Sequence, residues 1–89
     1  MIVNVMDKIQ DRIWLGNIKA AEDQALLKVT GITHLLSLGA MPNRVDSYIK
    51  HMKIHIDDIP SAQIYQHLDR AVDFIVEAVT QGGSVLVHW

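Results

Sequence analysis

The sequence predicts an α/β domain, a mostly parallel central sheet flanked by helices, on three observations. Strand-like and helix-like segments alternate along the chain in the order strand–helix–strand–loop–strand–helix–strand, and such alternation calls for crossovers between parallel strands. Ile64, Leu68, Ala71, Val72, Ile75, Ala78 and Val79 recur at helical spacing. Ser84-Val85-Leu86-Val87-His88 is apolar on consecutive positions, as a strand covered on both faces requires.

Each element has its own local signal. Lys8-Ile9-Gln10 and Ile13-Trp14-Leu15-Gly16 flank Asp11-Arg12 and read as strand, turn, strand. From Ile18 to Thr30, the residues Ala20, Ala21, Ala25, Leu26 and Val29 predict one helix, with Gly31 in the stopping position. Ile32 to Leu38 is short, apolar and bounded by Gly31 and Gly39, which predicts a buried strand. Gly39 to Asn43 is a loop by its breakers. Tyr48 to Ile56 alternates in part, and its second half predicts a strand ending at Asp57-Asp58. Pro60 and Ser61 then announce a helix with Ser61 as its N-cap. On that helix Gln66, Arg70, Asp73 and Glu77 lie largely off the apolar stripe, and Gly82-Gly83 ends it.

Composition bounds the function classes. A chain of 89 residues holds at most one small domain, and its apolar share of 49% supplies a core. Net charge is −2, with acids and bases interspersed, so no basic stripe points to nucleic acid or an anionic membrane. The N-terminus shows no signal-peptide pattern, and no apolar run reaches the ~18 residues of a membrane span. The absence of cysteine excludes a disulfide framework, thiolate zinc ligation and a cysteine nucleophile within these residues. His51 and His55 can share one strand face and His67 sits on the long helix, but their spacing matches no metal-binding pattern. Trp14, between Ile13 and Leu15, reads as a core aromatic, and Arg44 and Lys53 read as solvated surface charge.

Three segments carry a family resemblance. Ile13-Trp14-Leu15-Gly16-Asn17 precedes a short Ala-rich helix and Gly31-Ile32-Thr33-His34-Leu35-Leu36-Ser37-Leu38. Ile54-His55-Ile56-Asp57-Asp58-Ile59-Pro60-Ser61 leads into His67-Leu68-Asp69-Arg70-Ala71-Val72-Asp73-Phe74-Ile75. Gly82-Gly83-Ser84-Val85-Leu86-Val87-His88 closes the series. In that order and spacing, from about Lys8 to His88, the chain resembles the dual-specificity phosphatases of the cysteine-based tyrosine phosphatase superfamily.

The resemblance implies hydrolysis of phosphotyrosine and phosphoserine or phosphothreonine, with no metal or organic cofactor. It also implies a loop of pattern His-Cys-x5-Arg after the last strand, where loop amides hold an anion and depress a thiol pKa. His88 matches the histidine of that pattern, and Trp89 stands where the cysteine would be. A general acid on a separate loop is implied at Asp58, with Asp57 as the near alternative. Taken from its residues alone, the Asp57-Asp58 pair is a solvated strand end, and His88 is the exposed end of a strand.

Residues 1–89 thus read as an incomplete phosphatase-like domain without the phosphate loop and following helices, inactive as it stands. Phosphoprotein substrates of the parent enzyme or other protein partners are implied, in the cytoplasm or nucleus. Without the missing helices, a sheet face built from Leu35, Leu36, Leu38, Val85, Leu86 and Val87 is expected to be partly exposed. At ~25 cal/mol per Å2, that exposure draws on a total stability of only ~5–15 kcal/mol. The expectation is a chain that is unstable, partly molten or self-associated.

Overall fold

A computed structural model of the chain describes residues 5–56 and 63–89. Its strands are β1 (Met6–Gln10), β2 (Ile13–Gly16), β3 (His34–Leu38), β4 (Lys50–Ile54) and β5 (Val85–His88). Its helices are α1 (Ile18–Glu22), α2 (Gln24–Thr30) and α3 (Ile64–Thr80). The strands form one sheet in the order β1-β2-β5-β3-β4, antiparallel between β1 and β2 and parallel elsewhere. The predicted α/β class and mostly parallel sheet are therefore the observed ones.

Crossover handedness decides which face each helix covers. The connection from β2 to β3 runs one way along the sheet and that from β4 to β5 runs back. Right-handed crossovers then place their helices on opposite faces. Accordingly Ala20, Ala21 and Leu27 pack with Ile32, Leu35 and Leu86 on one face. Ala71, Phe74 and Ala78 of α3 pack with Leu36, Ile54, Val85 and Val87 on the other. The loop from β3 to β4 crosses in the same direction as α1 and α2, and its Val45 and Ile49 join their face.

The hairpin turn is tight enough to put Arg12 in the left-handed region, at φ 66°. Two contacts hold it there: Arg12 Nη1 donates to the Gly82 carbonyl at 2.6 Å, and the Val85 amide donates to the Arg12 carbonyl at 2.9 Å. The hairpin is thereby pinned to the turn that precedes β5.

The single helix expected over Ile18–Thr30 is two helices. Asp23 breaks it, taking φ −90° and ψ 88°. Its carboxylate accepts from the Leu26 amide at 3.0 Å, while Asn17 Oδ1 accepts from the Ala20 amide at 3.1 Å. A capping side chain of this kind stabilises a helix start by about 1 kcal/mol, so Asp23 gains more by starting α2 than by extending α1. Gly31 ends α2 at φ 82°, as its position predicts.

α3 departs from expectation on two points. It opens behind Gln63, which makes no side-chain cap bond; Pro60 and the expected cap Ser61 lie outside the described residues. The buried stripe is Ala71, Phe74 and Ala78, whereas Leu68 and Val72 of the predicted stripe are exposed. Two alanines bring the helix close to the sheet, and Phe74 fills the space beside them, edge-on to His34 at 5.3 Å.

The expected exposure of the sheet is not found. Leu35, Leu36, Val85, Leu86 and Val87 are buried, and Leu38 is half-buried, because α1, α2 and the β3–β4 loop seal one face and α3 the other. Exposed apolar surface is found instead on α3, at Tyr65, Val72 and Val76 on its outer side and at Leu68 beside them. No helix among the described residues is long and apolar enough to cross a membrane.

Candidate functional site at the carboxyl ends of the strands

Parallel register lines up one row of residues at the carboxyl ends of the strands. Gly16 of β2 pairs with His88 of β5, His88 with Ser37 of β3, and Ser37 with Lys53 of β4. The row two residues earlier is Trp14, Leu86, Leu35 and His51. Residues two apart in a strand share a face, so all eight face α1, α2 and the β3–β4 loop. In open parallel sheets, ligands bind beyond this carboxyl edge.

The row is built by size. Gly16 lets the start of β1 and the Leu86 side chain close over it: a Cβ there would stand 2.8 Å from Met6 Cβ and 2.9 Å from the Val5 carbonyl oxygen. Ser37 is small and fully buried, which leaves room for two imidazoles. Its Oγ lies 2.7 Å from His51 Nε2 and 2.6 Å from His88 Nε2. His88 is likewise fully buried, so it is not the exposed strand end that its terminal position suggests. Its Nδ1 has no hydrogen-bond partner among the described residues.

Beyond the row, Trp89 is 63% exposed and lines a cleft of about 220 Å3 with Val5, Asp7, Leu15, Gly16 and Asn17. Asp57 and Asp58, the implied general-acid positions, lie outside the described residues. His55 is past the end of β4 and exposed, so it does not share His51's strand face. Among the described residues no three His, Cys, Asp or Glu side chains converge as metal ligands. Trp14 is half-buried against the core, and Arg44 and Lys53 are exposed, Arg44 beside Asp46 at 3.2 Å.

Sequence reasoning singled out His88 and missed Ser37 as its partner. The signal was present: a serine inside a buried, largely apolar strand and a histidine inside another each require a hydrogen bond. Their pairing needed the strand order β5-β3, which local sequence does not reveal.

Burial shifts these imidazoles. It pushes His88 below the ordinary 6.5, against the opposing pull of the Glu22 carboxylate. It lowers His51 too, helped by the positive charge of Lys53 and the neighbouring His88. His34 on the opposite face is lowered by burial and by Lys50, with Glu77 opposing. In the unfolded chain each would take up its proton near pH 6.5; in the folded chain each does so lower. The unfolded state therefore binds more protons below that value, and stability is lost as pH falls. The expected result is a melting temperature that holds above about pH 7 and declines through about pH 6. A flat or rising melting temperature over that interval, followed by circular dichroism, contradicts the assignment.

The family model of the dual specificity phosphatase catalytic domain matches residues 13–88. The chain is 38% identical over 87 residues to dual specificity protein phosphatase MPK-4 of Drosophila melanogaster, covering 93% of this chain and 22% of that protein. It is 34% identical over 87 residues to dual specificity protein phosphatase 1 of Arabidopsis thaliana, covering 96% and 43%. The crystal structure of DUSP15 superposes with a TM-score of 0.79 at 31% identity, over 93% of this chain and 53% of that one. The chain thus spans about half or less of the length of these relatives. With the family model matching most of its length, the chain belongs to the dual specificity phosphatase catalytic-domain family.

Proposed function

We propose that this scaffold serves the family's chemistry, hydrolysis of phosphotyrosine and phosphoserine or phosphothreonine, in the protein it derives from, and that the 89-residue chain itself is catalytically silent. One observation carries the reading: the sequence contains no cysteine, and Trp89 follows His88 where the resemblance puts the nucleophile. A thiolate attacks phosphorus and leaves as a covalent intermediate is hydrolysed; an indole offers one N–H donor and no comparable nucleophile. Asp58 remains the general-acid position by resemblance, with Asp57 beside it. A cytoplasmic or nuclear setting and phosphoprotein partners follow from the same reading, with no metal or organic cofactor, nucleic acid or membrane.

Phosphate release from phosphotyrosine and phosphothreonine peptides tests it. The purified chain is expected to match buffer alone, and saturable turnover abolished by Asp58→Ala overturns the assignment.

The exposed stripe of α3 supports a second reading, a non-catalytic module that acts through protein contacts, including contacts with its own copies. Tyr65, Val72 and Val76 lie on the side of the helix away from the sheet, and half-exposed Leu68 borders them. Sedimentation is expected to show association that grows with concentration and is lost in Val72→Asp. A monomer at every concentration contradicts self-association.

A further inference from the structure

The hydrogen bonds around Ser37 carry a consequence for His88 that stands on three side chains and is independent of the catalytic reading. We propose that His51 and Ser37 are positioning residues that set the tautomer of His88, so that protonation of His51 at the sheet's edge fixes a donor on His88 Nδ1. Ser37 Oγ lies within hydrogen-bond distance of Nε2 of both rings, at 2.7 and 2.6 Å. A hydroxyl owns one proton. These two nitrogens are the partners of Oγ among the described residues, so with both rings neutral one ring accepts the hydroxyl proton and the other donates its own N–H to Oγ.

Two arrangements are open while His51 is neutral. In the first, His51 Nε2–H donates to Ser37 Oγ, the Ser37 hydroxyl donates to His88 Nε2, and the His88 proton resides on Nδ1. In the second, every donor is reversed and His88 carries its proton on Nε2. An imidazolium has N–H on both nitrogens, so protonated His51 excludes the second arrangement. Its Nε2–H must donate, the serine hydroxyl turns toward His88, and His88 becomes the Nδ1–H tautomer. No bond to carbon changes; one proton enters from solvent at His51, and one moves from Nε2 to Nδ1 of His88.

Burial orders the two sites. His88 and Ser37 are fully buried, while His51 is half-buried on the edge strand β4 and lines the cleft beneath the β3–β4 loop. His51 is therefore the ring that solvent protons reach. The charged groups around the trio are Lys53 on β4, Glu22 on α1, and Arg44 and Asp46 on the β3–β4 loop. Lys53 opposes protonation of His51, and Glu22 favours positive charge at His88. A proton on either ring raises the cost of a second on its neighbour, so His88 stays neutral while His51 takes up the first.

Ring-nitrogen NMR of the 89-residue chain, recorded between about pH 5 and 8, tests the proposal. As His51 titrates, the two His88 nitrogens are expected to shift with the same midpoint toward the Nδ1–H pattern, with His88 still neutral. Ser37→Ala should abolish that coupled shift while His51 continues to titrate. If Ser37→Ala does not fold, His51→Phe on the edge strand serves instead and should make the His88 tautomer independent of pH. A His88 tautomer unchanged through the His51 titration, first proton uptake at His88, or coupling that survives in either variant overturns it.

Discussion

Leu86→Ala is expected to remove about 2–5 kcal/mol of stability. Leu86 lies on β5, between β2 and β3, and is fully buried against Leu35, Ala20 and Ala21 beneath α1 and α2. Its neighbours are held by strand register and by two helix caps, so little can relax into the space left behind. Deleting a buried side chain costs its transfer free energy and a cavity term together. For a chain of this size each kcal/mol corresponds to roughly 4–8 °C in melting temperature, so a drop of at least ~8 °C in a thermal melt is the expected readout. A change within ~2 °C contradicts the packing described for this face.

Gly16→Val should have the next largest effect, a loss of about 1–3 kcal/mol by overpacking. A Cβ at this position would stand 2.8 Å from Met6 Cβ, 2.9 Å from the Val5 carbonyl oxygen and 3.1 Å from Leu86 Cδ1. The carbonyl is the decisive contact, because backbone cannot swing aside as a side chain can. That same oxygen accepts the Asn17 amide at 3.0 Å, so moving it loosens β1 where α1 begins. Amide exchange should therefore accelerate at Asn17 in the variant, along with the fall in melting temperature. Protection at Asn17 equal to that of the parent chain would show that β1 accommodates the side chain, contrary to the geometry.

Much of this architecture is legible in the sequence, for physical reasons that differ by element. β5 announces itself because a strand covered on both faces must be apolar on consecutive residues, and Val85, Leu86 and Val87 are. Gly31 marks its helix end because the backbone there takes a left-handed φ of 82°. The break at Asp23 is hidden because apolar residues continue on both sides of it, and the competition between capping and helix extension is settled by one side-chain hydrogen bond. The buried side of α3 is hidden for another reason. Apolar residues cover more than half of its circumference, and periodicity alone cannot say which part meets the sheet. Phe74 does, whereas Val72 does not and Leu68 reaches only the border of the sheet beside Leu38 and Ile54.

The candidate site is legible to a smaller degree. His88 is marked by its place at the end of β5, in the order and spacing that carry the family resemblance. Ser37 and His51 acquire meaning only when β5 is inserted between β2 and β3, bringing residues 51 positions apart in sequence within 2.6 Å. The expectation of an exposed sheet failed on a related point. The helices the resemblance implies after His88 are not needed to bury these strands, because α1, α2 and α3 already pack against them.

The most direct test of catalytic silence is a single-turnover experiment, with the chain in large excess over a peptide carrying radiolabelled phosphotyrosine. A scaffold without a thiolate nucleophile should yield no label on protein and no inorganic phosphate above the buffer blank, however long the incubation. Label transferred to the chain, or phosphate released in proportion to it, would contradict the account and show that another side chain performs the attack.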